Sequence, residues 1–402
     1  MAIKVKVATT PKELNDVYRL RYKVYVESEG YFQDISGDLI VDQFDALPQV
    51  ANIIAYSGNT PIGTIRANID SEILLPSDEL YDFSEYRKKI TEQRQTQNLP
   101  VKFGSAGMLA IAEPYRNRRD VFRAMFKMCC DVAYAWKVTH IISTVNTKTA
   151  AMYNRLRFEP LCDPIWIPEI GESIVPLANE FEPIYQWAFG AFGDKSELLE
   201  SFSGCFQCLL VSAGSEIFAQ GSDGHEAYLI SKGIVNISQS DELSQETLSL
   251  ATLCRGDMFG ELSLIDDGVR SAAATAVSNT ELIVLDKKAF WQKADQDSTY
   301  LKGLLSILTQ RLRDVDQRAF IYAHGNTERR LNFFINKVRE NAQPSANKQQ
   351  WVARITIEEF CYMASVTHEQ AQEYLQQLQE KNTLKLSARN ITFFNEDEIK
   401  PE

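Results

Sequence analysis

The run "FGELSLIDDGVRSAAATA", Phe259 to Ala276, sets a carboxylate, Glu261, nine positions ahead of a guanidinium, Arg270, among residues that are mostly small or apolar. One guanidinium neutralises and orients a phosphate through charge-assisted hydrogen bonds. One carboxylate accepts from a ribose hydroxyl, and backbone N–H groups at a short helix start add phosphate donors. A cyclic nucleotide, with one phosphate charge and one free ribose hydroxyl, suits all three. Glu261 is the expected acceptor and Arg270 the cation, with Ser271 and Ala272 as near neighbours.

The surrounding pattern predicts the scaffold for such a turn. From about Leu198 to Lys288, short strands alternate with Gly- and Asp-containing breaks, the pattern of a β-barrel or jelly roll. A long helix comes next, "STYLKGLLSILTQRLRDVDQRAFIYA", with Leu301, Leu304, Leu305, Leu308 and Leu312 along one stripe. From Thr327 onward the order is helix, with Asn326 or Thr327 as its N-cap, then helix, turn, helix and a terminal hairpin, which describes a winged helix-turn-helix.

The opening run resembles the phosphate-binding cassette of cyclic-nucleotide-binding domains, which Gly260, Glu261, Leu262, Arg270, Ser271 and Ala272 match residue by residue, and "G..IF.QG" (Gly214 to Gly221) with "YLISKGIVNI" fits the same roll. The region Leu198–Glu402 as a whole resembles bacterial regulators of the catabolite-activator type. That resemblance implies a homodimer along the leucine stripe and an effector, cyclic AMP ahead of cyclic GMP. Val315 and Asp316 stand where such regulators place a Thr-Ser pair on the adenine, so the base contact differs. The expected recognition helix, "THEQAQEYLQQLQ", offers His368, Glu369 and Gln372 to DNA, and Ile355 through Glu380 contains no Lys or Arg. From Thr327 to Glu402 ten basic residues face eleven acidic ones, a poor surface for phosphate neutralisation. DNA binding therefore stays open, beside a purely regulatory helix-turn-helix.

The first 193 residues alternate strand and helix patterns and predict an α/β sheet. "VTHIISTVNTKTAAMYNRLRFEPL" resembles the last motif of GNAT-type acyltransferases, in which two strands part around a pantetheine arm. The resemblance implies Asn146 at the donor and Tyr153 as the general acid on the leaving thiolate. "EPYRNRRDVFRAMF" begins the preceding helix without glycine and offers Arg116, Arg118 and Arg119, either a solvated face or a dock for phosphates or an acidic acyl carrier protein. "LRYKVYVESEGY", "DLIVDQFDALPQVANIIAY" and "PIGTIRANI" resemble autoinducer synthases and long-chain N-acyl amino acid synthases. Arg21, Asp42 and Arg66 then fall on the acceptor side, and a base can come from Asp42, Asp45, Glu113 or a water. Ser105 and Met108 replace the Glu and Arg usual on the strand before the cofactor helix, which argues against homoserine-lactone synthesis.

Composition bounds the rest. The chain has 402 residues, 45% hydrophobic and 24% charged, and a net charge of −12 that disfavours broad nucleic-acid binding. Seven Cys without repeated spacing predict neither a disulfide framework nor a metal site. No run is long and apolar enough for a membrane span, and the first residues lack a signal-like apolar core, so cytoplasm is the expected compartment. The expected domains are 1–193, acyltransferase; 194–326, nucleotide roll with dimerisation helix; and 327–402, winged helix. Between the first two, Phe181, Tyr185, Trp187, Phe189 and Phe192 make the connector too aromatic for a free linker, so it should pack on a domain. The function expected is a cyclic-nucleotide-regulated N-acyltransferase using acyl-CoA or acyl carrier protein. The alternative is a cyclic-nucleotide-responsive transcription regulator whose N-terminal domain binds an acyl ligand without turnover.

Overall fold

The computed structural model describes residues 2–31, 37–155, 158–168, 171–189, 203–204, 206–240, 247–295, 299–340, 342–344 and 350–394. By compactness the chain divides into two units, Met1–Gly190 with Phe202–Leu210, and Ala191–Ser201 with Val211–Glu402.

The first unit is built on a mostly antiparallel sheet. From the strand Phe206–Val211 its order runs Ile3–Val7, Val50–Ser57, Thr60–Ile69, Phe103–Ile111, His140–Asn146, Glu172–Glu180 and Glu159–Pro160. The hairpin between Val50–Ser57 and Thr60–Ile69 turns at Gly58, whose φ of +60° suits a residue without a Cβ. Phe103–Ile111 and His140–Asn146 run parallel, joined through the helix Arg119–Ala135 as a parallel crossover requires. That helix buries Val121, Phe122, Met125, Phe126, Cys129 and Val132. Each large apolar side chain so buried contributes about 1.5–3 kcal/mol. Its approach to the sheet is close enough that a Cβ on Gly63 would stand 2.9 Å from Met125 Sδ.

The helix Phe181–Phe189 is part of this core. Tyr185 stacks on Tyr134 at 4.5 Å between centroids, and Trp187 meets Phe126 edge-on at 5.8 Å. The aromatics expected in a connector thus fill the first unit, while Phe192 lies outside the described residues. Cys208–Leu210 pairs with Ile3–Val5.

In the second unit, Met258–Phe259, Glu226–Lys232 and Thr280–Asp286 form one antiparallel sheet. Glu216–Phe218, Ala273–Ala276, Val235–Ser240 and Thr247–Leu253 form another. After the helix Lys287–Ala294 comes the long helix Thr299–His324. It buries Leu304, half-buries Leu301 and Leu308, and leaves Leu305 and Leu312 each 63% exposed. One turn apart, Arg318 donates to Thr252 O and Tyr322 to Met363 O, so this helix touches both the roll and the C-terminal helices.

The C-terminal region consists of three helices and a small sheet. Asn326 caps the helix Thr327–Glu340 by accepting from Arg329 N at 2.8 Å. Reciprocal capping boxes start the other two, Thr356 with Glu359 for Ile357–Ala364 and Thr367 with Gln370 for His368–Glu380. Ser365, at φ +51°, makes the turn between them. Phe334, Ile335, Phe360, Met363, Leu375 and Leu384 form their common core. The strands Gln343–Pro344, Trp351–Ala353, Asn390–Phe393 and Leu384–Ser387 make the sheet in that order.

Candidate functional site

Two places in the chain gather unusual chemistry. In the roll, Arg270 is 5% exposed and turns inward. Its Nη1 donates to Gly260 O at 3.0 Å and Ser263 Oγ at 2.8 Å, and its Nη2 to Glu226 O at 2.7 Å. The guanidinium lies over the Phe218 ring at 4.1 Å and the Tyr228 ring at 5.6 Å. Burial, opposed by Tyr228 and then by Glu226 and Glu261, lowers its pKa, but a guanidinium remains charged. Among the described residues no carboxylate oxygen is within ion-pair distance of it, and its Nε has no hydrogen-bond partner. A buried cation held by neutral oxygens calls for an anion.

The backbone has made room for that cation. A Cβ on Gly224 would stand 2.7 Å from Arg270 Nε, and one on Gly260, at φ +69°, would stand 2.5 Å from its Nη1. Glu261 is 4% exposed at the start of the short helix Leu262–Ile265; Ala272 is buried, whereas Leu262 and Ser271 are exposed. Lys287 and Trp291 tie the turn down by donating to Asp266 O and Leu264 O. The residues present fit a cyclic phosphate, which Arg270 and the backbone beside Ser271 could hold by the anion and Glu261 by a ribose hydroxyl. Sequence reasoning does not place Ser263, Gly224 or Phe218 at the site, to which the fold adds them. Ser263 carries a signal, three positions after the Gly of "GELSL", and Phe218 is the Phe of "G..IF.QG", while Gly224, just before the strand Glu226–Lys232, is brought in by the fold.

The second place is the parallel pair of the first unit, where Phe103–Ile111 and His140–Asn146 pair at Phe103↔His140 and Gly104↔Ile141 and then part. Asn146 ends the second strand, and its Oδ1 accepts from Lys148 N at 2.8 Å to start the helix Thr147–Arg155. On that helix Tyr153 is buried edge-on between Phe126, at 6.2 Å, and Phe158, at 5.6 Å. Burial pushes its phenol well above the ordinary tyrosine value, so it carries its proton across the neutral range.

Glu113 is exposed just past the end of Phe103–Ile111. Of the three arginines at the next helix start, Arg116 pairs with Glu29 at 2.8 Å, and Arg118 makes two bonds to Asp120 at 2.9 and 2.7 Å. Arg119 is exposed and, among the described residues, has no such carboxylate.

Arg21, Asp42, Asp45 and Arg66 come together in one network, in which the side chains of Arg21, Asp45 and Arg66 are buried and Asp42 is half-buried. Asp45 accepts from Arg21 Nη1 at 3.1 and 2.9 Å and from Asn52 Nδ2 at 3.1 Å, and lies 3.0 Å from Arg66 Nη1. Arg66 also donates to Asp42 at 2.5 Å, and Arg21 to Asn52 Oδ1. Burial alone would raise the Asp45 pKa, but Arg21 and Arg66 outweigh it and hold the carboxyl below its usual range. A carboxylate so held takes up a proton poorly at neutral pH, so Asp45 is better equipped to fix two guanidiniums than to act as base.

His368 lines a groove with Glu358, Tyr362, Ser249 and Thr252, and Glu369 and Gln372 are exposed. Among the described residues no His, Cys, Asp and Glu group has the makings of a metal site, and no helix is long and apolar enough to cross a membrane.

Similarity to known proteins covers both places. The family model of the N-acyl amino acid synthase FeeM matches residues 16–180, and that of the cyclic nucleotide-binding domain matches residues 209–297. The cyclic AMP receptor protein of Thermus thermophilus is 30% identical over 187 residues, 46% of this chain and 83% of that protein. The cGMP-dependent protein kinase 2 of Mus musculus is 32% identical over 118 residues, 28% of this chain and 15% of the kinase. Among solved structures, FeeM from uncultured soil microbes is similar at 17% identity and a TM-score of 0.37, covering 45% of this chain and 93% of its own.

Proposed function

Since the chain belongs, over its second half, to the family of the cyclic AMP receptor protein and carries an N-acyl amino acid synthase domain ahead of it, we propose that it is an N-acyltransferase whose output is set by a cyclic nucleotide. Arg270, buried without a carboxylate partner among the described residues, is the observation that carries the regulatory half of this reading. The parting of the two parallel strands supports the enzymatic half. Cyclic AMP stands ahead of cyclic GMP as effector, since the matched receptor protein is one for cyclic AMP.

In this reading the first unit is a GNAT-type fold and the donor is a pantetheine thioester, on CoA or on acyl carrier protein. The acceptor amine attacks the thioester carbonyl carbon, the carbon–sulfur bond breaks, and Tyr153 gives its proton to the departing thiolate. The amine loses its own proton to Glu113, the carboxylate with an open face. Backbone N–H groups on the unpaired part of Phe103–Ile111 stabilise the oxyanion. Arg119 and the helix start receive the donor's phosphates, and Arg21, Asp42, Asp45 and Arg66 hold the wall on the acceptor side. Residues 1–193, 194–326 and 327–402 act as acyltransferase, nucleotide roll and winged helix, in a homodimer seamed along Leu305 and Leu312.

A second reading, a cyclic-nucleotide-responsive transcription regulator with a non-catalytic acyl-binding domain, draws on one feature, the tightly turned helix pair Ile357–Ala364 and His368–Glu380. The charge balance of that region weighs against it. The test is to incubate the full chain with lauroyl-CoA and the twenty amino acids, with and without cyclic AMP, and to look for amides by mass spectrometry. Amide formation supports the first reading. No amide, together with salt-dependent DNA binding, supports the second.

A further inference from the structure

Beyond Gly104↔Ile141, the parallel register would bring Ser143 opposite Ala106. There a side chain takes over from the ladder. Ser143 Oγ accepts from Ala106 N at 3.3 Å and donates to Ala106 O at 2.9 Å, and Ser143 is fully buried. One hydroxyl thus occupies both backbone groups that the next ladder step would use, leaving no bond to draw the strands together beyond it.

A second hydroxyl acts further along the same strand. Met108 has φ +51°, and the pairing with Thr60–Ile69 slips between Thr64↔Ala110 and Arg66↔Gly107. Met108 and Leu109 therefore face Ile65 together, which is a bulge, a device that re-aims backbone groups. The phenol of Tyr25, on the helical stretch Lys23–Ser28, donates to Leu109 O at 2.8 Å and pins that bulge.

We propose that Ser143 and Tyr25 are positioning residues for acyl transfer: Ser143 sets where the cleft opens, and Tyr25 fixes the bulged backbone that faces the thioester. This rests on the acyltransferase reading of the first unit. Neither side chain touches the reacting atoms; both act through the backbone from Ala106 to Leu109. Oriented amides stabilise a developing oxyanion only while they stay aimed at it. Without the Ser143 hydroxyl the Ala106 N–H and C=O lose their shared partner, and the mouth of the cleft loses its fixed width. Without the Tyr25 hydroxyl the bulge loses a fixed orientation.

The variants are Tyr25→Phe, which keeps the ring, and Ser143→Ala, both in the full chain. Amide hydrogen exchange over residues 104–111 should quicken by about fivefold in each, with the rest of the sheet unchanged. In thiol release from lauroyl-CoA with the twenty amino acids as acceptors, Tyr25→Phe should lower kcat about 10–100-fold while the lauroyl-CoA Kd stays within about twofold. Ser143→Ala should instead weaken lauroyl-CoA binding about tenfold; if it fails to fold, Tyr25→Phe carries the test. Faster exchange with kcat and Kd unmoved would make both residues purely structural and overturn the proposal, as would unchanged exchange. A wild-type chain that releases no thiol overturns the acyltransferase reading itself; quickened exchange in the variants then still supports the two-point hold on the strand, and unchanged exchange overturns that too.

Discussion

The guanidinium of Arg270 lies 4.1 Å from the ring centroid of Phe218, at one end of an aromatic wall that continues through Tyr228 to Phe259. Three neutral oxygens and a ring face hold this charge in place, and none of them cancels it. A phosphate would. Arg270→Ala should therefore cost the 1.5–3 kcal/mol of a charged hydrogen bond, about 10–150-fold in cyclic AMP affinity by calorimetry. An unchanged affinity would place the nucleotide elsewhere.

The arginines at the start of the helix Arg119–Ala135 are not equivalent. Arg116 and Arg118 already face Glu29 and Asp120, and Arg119 faces solvent. Arg119→Ala should weaken lauroyl-CoA binding more than Arg116→Ala or Arg118→Ala, and the difference should shrink as salt rises over the range where the Debye length falls below about 10 Å. Equal, salt-independent effects would leave all three as surface charge.

Tyr153 offers a test of the acid step. Tyr153→Phe should lower kcat by about 100-fold or more, the range for a general acid, with donor affinity kept. The sign of its shift adds a pH signature. Since burial raises the phenol above the ordinary value of 10.0, the protonated, proton-giving form persists through pH 10. A kcat that falls with an apparent pKa at or below 10 would assign the proton to another group.

Asp45 sits 1% exposed between two guanidiniums, and its removal strands them. Asp45→Asn should destabilise the first unit by about 3–5 kcal/mol, the range for breaking a buried pair, read by chemical denaturation. The pKa of Asp45 is lower folded than the ordinary 3.8, so its contribution is complete above that value and is lost as pH falls through the folded one. Wild type and Asp45→Asn should accordingly converge in stability on acidification below 3.8, and a gap that stays constant would contradict the pairing.

Much of this was legible along the chain, where chemistry and spacing are local. The nucleotide turn shows because Gly260, Glu261 and Arg270 lie within one short run, and the helix Thr327–Glu340 announces itself through Asn326, one of the two N-caps expected. Long-range features were hidden. Cys208–Leu210 shows along the chain as a strand, but its pairing with Ile3–Val5, at the far end of the first unit's sequence, does not. The same holds for Ser143 and Tyr25, a small residue and an aromatic one whose roles exist only opposite Ala106 and Leu109. Charge pairing was equally invisible: Asp45 reads as a free carboxylate until Arg21 and Arg66 converge on it from two other elements.

If a nucleotide in the roll governs chemistry in the first unit, the rate of that chemistry must respond to it. The decisive quantity is the initial rate of thiol release from lauroyl-CoA by the full chain, with the twenty amino acids as acceptors, titrated with cyclic AMP and repeated for Arg270→Ala. A saturable change in rate of about 5–150-fold is expected, the span of a typical coupling energy, and it should vanish in Arg270→Ala at the same nucleotide concentrations. A rate that is measurable yet identical with and without saturating cyclic AMP would refute the coupling.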